Sequence, residues 1–171
     1  VKIVSPNFNL EYGLNQQEIK SRLMRLIKYS EPNKEKKTLF IWPEGVFSGY
    51  SYKETLLFKK LITNNFSNQH FIIFGTNTED AVSGDFYNSM LIANNNFEIV
   101  QSYNKRKLVP FGEFLPFENL FKLFGLKKIT EGHGSFLKGN KNNNLIINDL
   151  SILPLICYEI IFTELIQKSN L

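Results

Sequence analysis

Residues 38–45 read Thr38-Leu39-Phe40-Ile41-Trp42-Pro43-Glu44-Gly45. The unbroken apolar run describes a buried strand, and Pro43, which has no N–H to give to a ladder, ends it. Glu44 therefore stands just past a buried strand, where Gly45 lets the backbone turn tightly. A carboxylate at the edge of a dry interior has its pKa raised, which suits it to take up a proton and return it.

Helices and further strands surround this stretch. Upstream, Val1-Lys2-Ile3-Val4 is a short strand, and Gln16 to Ser30 carries Ile19, Leu23, Leu26 and Ile27 on one helical face. Downstream, Ser51-Tyr52-Lys53-Glu54 has the capping-box pattern and opens a helix through Leu57, Leu61 and Ile62 to about Asn64. His70 to Gly75, Phe86 to Ala93 and Phe97 to Tyr103 are strands, the last two joined by a hairpin turn at Asn94-Asn95-Asn96. A helix from Phe117 to Phe124 ends at Gly125. Leu145-Ile146-Ile147 and Ser151 to Ile156 form a hairpin around Asn148-Asp149, and Tyr158 to Gln167 is helical. Strands interleaved with helices and hairpins predict a mixed α/β layer structure. With no repeat and no internal boundary, residues 1–171 are expected to form a single domain.

Composition narrows the function. The 171 residues are 43% hydrophobic, enough for a sizeable core, and ten glycines and six prolines are too few for a linker or low-complexity chain. The formal net charge of +4 comes from 17 lysines against three arginines. Without an arginine-rich surface or a zinc, RNP or helix-turn-helix signature, nucleic acid is not the expected partner. A solvated face or an anionic membrane surface fits the same charges. No apolar run reaches the roughly 18 residues of a membrane span, and no signal-peptide layout opens the chain, so the chain as given is expected to be soluble or peripheral.

Three residues stand at strand ends. Cys157 closes the run Ile152-Leu153-Pro154-Leu155-Ile156, Glu44 follows Trp42-Pro43, and Lys105 follows Tyr103-Asn104. A strand-to-helix turn can hold a nucleophile in the open, with helix N-terminal amides that favour a thiolate and receive an oxyanion. Each residue also has an ordinary reading: a buried small hydrophobe for the lone cysteine, a surface carboxylate for Glu44, and a solvated charge run for Lys105-Arg106-Lys107. A thiol needs a base or a cationic neighbour. His70 begins a strand as a half-exposed residue and His133 lies in the loop Glu131-Gly132-His133-Gly134, so neither supports a Cys/His protease.

Glu, Lys and Cys at three strand ends, in that order, resemble the layout of the nitrilase, or carbon-nitrogen hydrolase, superfamily. The longer words Trp42-Pro43-Glu44, Ile156-Cys157-Tyr158-Glu159 and the run from Tyr103 to Pro116, YNKRKLVPFGEFLP, resemble one branch of it, the apolipoprotein N-acyltransferases. The Tyr-x-Lys-x-x-Leu-Val-Pro-Phe-Gly-Glu string is the specific part, and together the motifs cover the chain from end to end. The resemblance implies an α/β fold, a nitrilase-like αββα sandwich, with Glu44, Lys105 and Cys157 as catalytic triad and Glu113, Tyr158 and Glu159 as supporting residues. It also implies a domain on the periplasmic face of the bacterial cytoplasmic membrane, attached to membrane helices that this chain lacks. The family's downstream Asn-Asp-Ala-Trp-Phe-like segment is absent, as is its tryptophan near the start of the domain, and the chain is expected to be a fragment truncated on its C-terminal side.

The implied activity is acyl transfer: Glu44 deprotonates Cys157, the thiolate attacks an ester of a phospholipid donor, and Lys105 with backbone N–H groups holds the oxyanion. The thioester then passes its acyl chain to the N-terminal amine of a diacylglyceryl-cysteine lipoprotein. No metal or organic cofactor is required. The alternatives are a soluble amidase of the same superfamily and a catalytically dead interaction domain. Finally, Phe117, Leu120, Phe121 and Phe124 form one apolar helical face followed by Lys127 and Lys128. That face is either packed on the sheet or a lid at the membrane surface whose Phe117, Phe121 and Phe124 touch lipid tails.

Overall fold

Backbone hydrogen bonds turn the apolar runs into one mixed sheet and a separate hairpin, in a computed structural model that describes residues 1–9, 11, 13–47, 49–114, 135–140 and 144–167. In chain order the elements are β1 (Lys2–Ile3), α1 (Gln16–Ser30), β2 (Thr38–Ile41), α2 (Tyr52–Thr55), a 3-10 turn (Leu56–Phe58), α3 (Lys59–Asn65), β3 (His70–Glu79), β4 (Phe86–Asn94) and β5 (Ile99–Asn104). After these come β6 (Leu145–Ile147), β7 (Leu150–Ile152), a second 3-10 turn (Cys157–Ile161) and α4 (Thr163–Gln167). The sheet runs β1-β2-β3-β4-β5, and β6-β7 pair apart from it. β1, β2 and β3 are parallel, whereas β4 and β5 each run antiparallel to the strand before.

Local chemistry explains the helix ends. Asn15 accepts hydrogen bonds from the Gln17 and Glu18 N–H groups, and Glu18 reaches back to the Asn15 N–H, a reciprocal cap that starts α1. Glu31 adopts a left-handed conformation and Pro32 cannot continue the helix, so α1 stops at Ser30. Ser51 caps α2 as its motif predicts, with the Ser51 N–H and hydroxyl both bonded to Glu54.

Side chains sort by strand parity. Phe40, Trp42, Ile72, Phe74, Leu91 and Ala93 point to the face covered by α1 and α3, where they meet Leu23, Leu26 and Ile62. Leu39, Ile73 and Ile92 point to the other face, where Leu145 and Ile147 of the hairpin and Ile156 of the cysteine turn cover them. Central strands are thus buried on both faces, which is why β2 and β3 lack polar alternation. Gln101 in β5 fastens the hairpin: its side-chain amide donates to the Ile146 carbonyl and accepts from the Ile146 N–H.

Several details differ from the sequence expectations. The helix expected from Ser51 to Asn64 is interrupted by the 3-10 turn at Leu56–Phe58, which buries Phe58 while leaving Leu57 exposed. The strand expected at 151–156 ends at Ile152, and the helix expected from Tyr158 is a 3-10 turn followed by the short α4. His70 is buried, not half-exposed; it accepts from the Ser67 N–H at 3.0 Å and lies 2.8 Å from the Asn33 carbonyl. The residues of the helix expected from Phe117 to Phe124, with the lid reading placed on it, and His133 lie outside the described residues.

Candidate active site

Cys157 is exposed and holds φ at +51°, a left-handed conformation uncommon for a residue with a Cβ. The strain arises where the extended run ending at Ile156 tightens into the 3-10 turn. Its ordinary reading as a buried hydrophobe therefore does not hold. The turn is fastened by Glu159, which is fully buried and accepts the Ile156 N–H at 2.9 Å.

The same carboxylate reaches the end of β5. It accepts the Arg106 N–H at 2.7 Å, the Lys107 N–H at 3.0 Å and the Tyr103 hydroxyl at 3.0 Å. Glu159 thus ties the cysteine turn to the backbone that follows Lys105. Burial, then the adjacent Glu159 charge, pushes the Tyr103 phenol far above its ordinary value, so it stays a donor. Tyr158 by contrast turns outward, 54% exposed, with its ring edge toward Phe162.

Lys105 is 1% exposed, so the run Lys105-Arg106-Lys107 is not a solvated one at its first member. Its ammonium lies 2.9 Å from Glu113 Oε1. Glu113 in turn accepts from Asn88 Nδ2 at 2.9 Å and from the Val109 N–H at 3.0 Å. The Lys105 main chain is held on both sides, its N–H by the Asn88 carbonyl and its carbonyl by the Gly139 N–H, each at 2.8 Å. Gly139 has no space for a side chain: a Cβ there would lie 2.1 Å from the Asn104 carbonyl oxygen.

Glu44 sits over Gly75 of β3, where an added Cβ would touch its Cγ at 3.8 Å. The residue is open to solvent, but protein packed around its carboxyl raises the pKa by desolvation. The Lys105 charge pulls it down, and the Glu113 and Glu159 charges push it up. Glu44 therefore lies within the electrostatic reach of the other three. A carboxyl of raised pKa can exchange a proton, a buried ammonium can face a negative charge, and a thiol held outward is accessible to a reactant.

Tyr103, Asn88 and Gly139 are members of this network that the sequence reading did not single out. Tyr103 carried a signal, since it stands two residues before Lys105 in the same motif, at the end of β5. Asn88 and Gly139 carried none. A cavity of about 440 Å³ lies beyond the β5 end, between Arg106, Lys107, Lys138 and Glu164, and neither Glu44 nor Cys157 lines it. Among the described residues no group of His, Cys, Asp and Glu is arranged to hold a metal ion.

The sequence pattern of the family described as "Carbon-nitrogen hydrolase" matches residues 11–170. The chain belongs to the carbon-nitrogen hydrolase family. This hydrolase-family chain is 30% identical over 156 residues to the apolipoprotein N-acyltransferase of Vibrio vulnificus (strain CMCP6), a match covering 84% of the chain and 30% of that relative. Against the apolipoprotein N-acyltransferase of Brucella suis biovar 1 (strain 1330) it is 30% identical over 173 residues, covering 96% of the chain and 32% of the relative. The chain thus spans about a third of the length of these curated relatives.

Two solved structures share its fold. A glutamine-dependent NAD+ synthetase from Acinetobacter baumannii superposes with TM-score 0.56 at 19% identity, covering 97% of this chain and 29% of the other. An amidase from Neterenkonia sp. AN1 gives 0.51 at 15% identity, covering 98% and 58%. The carbon-nitrogen hydrolase chain has the α/β nitrilase-like fold in incomplete form: a helix-covered sheet whose other face is met by the β6–β7 hairpin. No described helix is long and apolar enough to cross a membrane.

Proposed function

We propose that Glu44, Lys105 and Cys157 are the catalytic triad of an acyltransferase in bacterial lipoprotein maturation, taking a fatty acyl chain from a phospholipid and giving it to the N-terminal amine of a diacylglyceryl-cysteine lipoprotein. The observation that carries the reading is the turn of Cys157: an exposed, strained thiol tied through Glu159 to the strand end that presents Lys105. Its second support is the name shared by the curated relatives.

In this reaction Glu44 accepts the thiol proton, and the thiolate sulfur bonds to the ester carbonyl carbon of the phospholipid. The oxyanion that forms is stabilised by the Lys105 ammonium and backbone N–H groups. Collapse breaks the bond to the glycerol oxygen, which takes the proton from Glu44, and leaves a thioester on Cys157. The lipoprotein amine then attacks the thioester, loses a proton to Glu44, and departs as an amide while the thiol is restored. Glu113 and Glu159 orient Lys105 and the nucleophile turn. Tyr158, Ile160 and Ile161, each more than half exposed beside Cys157, supply apolar surface suited to an acyl donor. The site is assigned to the periplasmic face of the cytoplasmic membrane, with the membrane surface as partner.

Intact-mass measurement tests this. Incubated with phospholipid vesicles, the intact protein should gain one acyl group on Cys157, and a diacylglyceryl-cysteine peptide should discharge it as an amide. Cys157→Ala should lower adduct formation by at least about a thousandfold with little change in melting, since an exposed nucleophile is lost and no core volume. An adduct on the Cys157→Ala protein would displace the nucleophile, and discharge to water alone would favour the amidase alternative.

A further inference from the structure

A buried ammonium is tolerated only where its counter-ion is held in place, because both ions have left water. The Lys105–Glu113 pair meets that condition in an uneven way. Lys105 stands at the end of β5 in the sheet, whereas Glu113 reaches in from the loop after Val109, whose carbonyl accepts the Glu113 N–H at 2.8 Å. The bond from the Val109 N–H lies within that loop, so it moves with the loop. From β4, Asn88 Nδ2 also donates to the Glu113 carboxylate, so its side chain links that carboxylate to the sheet. A carboxylate only accepts, so the amide nitrogen of Asn88 must face it. The main-chain carbonyl of Asn88 takes the Lys105 N–H, a bond that does not depend on the side chain.

We infer that Asn88 is a positioning residue: it pins both the backbone of Lys105 and the carboxylate that fixes the Lys105 ammonium. This rests on the acyl-transfer reading above, and it deepens it by giving the lysine's aim an origin in the strand between β3 and β5. With Asn88→Ala, Glu113 remains bonded to Lys105 and Val109 and its main-chain carbonyl still accepts the Phe136 N–H, which holds the loop backbone, but the carboxylate loses its side-chain donor on β4 and can swing with the ammonium away from the oxyanion.

The test compares the intact wild-type protein with Asn88→Ala and Asn88→Asp, using phospholipid vesicles as acyl donor and N-hydroxysuccinimide acetate as a lysine label. Asn88→Ala should slow thioester formation at saturating donor by about tenfold or more, the size of a lost hydrogen bond to a charged group, with the half-saturating donor concentration unchanged. Lys105 should be acetylated at least about threefold faster while melting shifts little. Asn88→Asp sets a second carboxyl against Glu113; it should be as slow at neutral pH and recover, relative to wild type at the same pH, as pH falls, when one proton shared by the pair restores a donor. Wild-type rate and wild-type Lys105 labelling in Asn88→Ala would overturn the inference. So would a rate loss that tracks a collapsed melt, with no acid recovery in Asn88→Asp. If the wild-type protein forms no thioester, the acyl-transfer reading fails, and the labelling of Lys105 alone decides whether Asn88 holds it.

Discussion

On the helix-covered face of the sheet, Phe40, Phe47, Phe74 and Phe97 are buried as rings against rings, Phe74 and Phe97 stacked with centroids 5.2 Å apart. On the opposite face, at the end of β5, Tyr103, Lys105 and Glu159 are also buried but are held as donors and acceptors, Tyr103 bonded to Glu159 and Lys105 to Glu113. The first face is held by area removed from water and by close packing, forces without a preferred bond direction. The second is held by hydrogen bonds that weaken steeply when bent or stretched. Stability is therefore concentrated on one side, and positional accuracy on the other.

The largest expected effect tests the apolar side. Phe74→Ala should cost about 3–5 kcal/mol in chemical denaturation by opening a cavity among Phe47, Leu91 and Phe97. The residual folded fraction should nevertheless label Lys105 at the wild-type rate. Equal acceleration of labelling would mean that the two faces are not separable.

Gly139→Ala should cost somewhat less, about 1–3 kcal/mol, because the new methyl must push away the Asn104 carbonyl. Here labelling of Lys105 should accelerate, since the displaced segment holds the Lys105 carbonyl. Tyr103→Phe should cost about 1–3 kcal/mol, the penalty of leaving a buried carboxylate short of a donor, with little change in packed volume. A melt equal to wild type would show that Glu159 is satisfied by its backbone partners alone.

The smallest effects concern proton affinity at Glu44. Its pKa is raised on folding, so the folded protein holds that proton more firmly than the unfolded chain. Its contribution to stability is then lost as pH rises through the ordinary carboxylate range toward the raised value. Glu44→Gln should match wild type in strongly acid solution and melt slightly higher at neutral pH. In a carbon-13 titration, Lys105→Met should raise the Glu44 pKa further and Glu113→Gln should lower it, following the signs of the two charges. Shifts of the same sign would show that conformational change, not charge, governs Glu44.

The helix-covered side was legible in sequence. Ile19, Leu23, Leu26 and Ile27 repeat at helical spacing and are all buried, so α1 runs over the predicted residues 16–30. The site side was legible only in part. Glu44 and Cys157 betray themselves by standing after apolar runs. Lys105 looks solvated, because its neighbours are charged and its partner Glu113 is brought to it by a turn with Phe111 at φ +62°. Asn88 and Gly139 act through long-range contacts, and long-range contacts leave no local period to detect. The break at Leu56–Phe58 was hidden for a different reason: Leu57, Leu61 and Ile62 have helical spacing in sequence, but the 3-10 turn rotates Leu57 out to solvent.

The sheet's mixed direction has a kinetic corollary. β3, β4 and β5 follow one another through short turns, so their pairing closes small loops and costs little chain entropy. β1 and β2 are joined to their parallel partners through crossovers that contain α1 and α3, so their pairing closes longer loops. The strand that carries Lys105 can thus reach its register early, while the ends of β2 and β7 arrive later. On that order the Lys105 turn is the local part of the molecule, whereas the turns that carry Glu44 and Cys157 depend on contacts closed over longer stretches of chain.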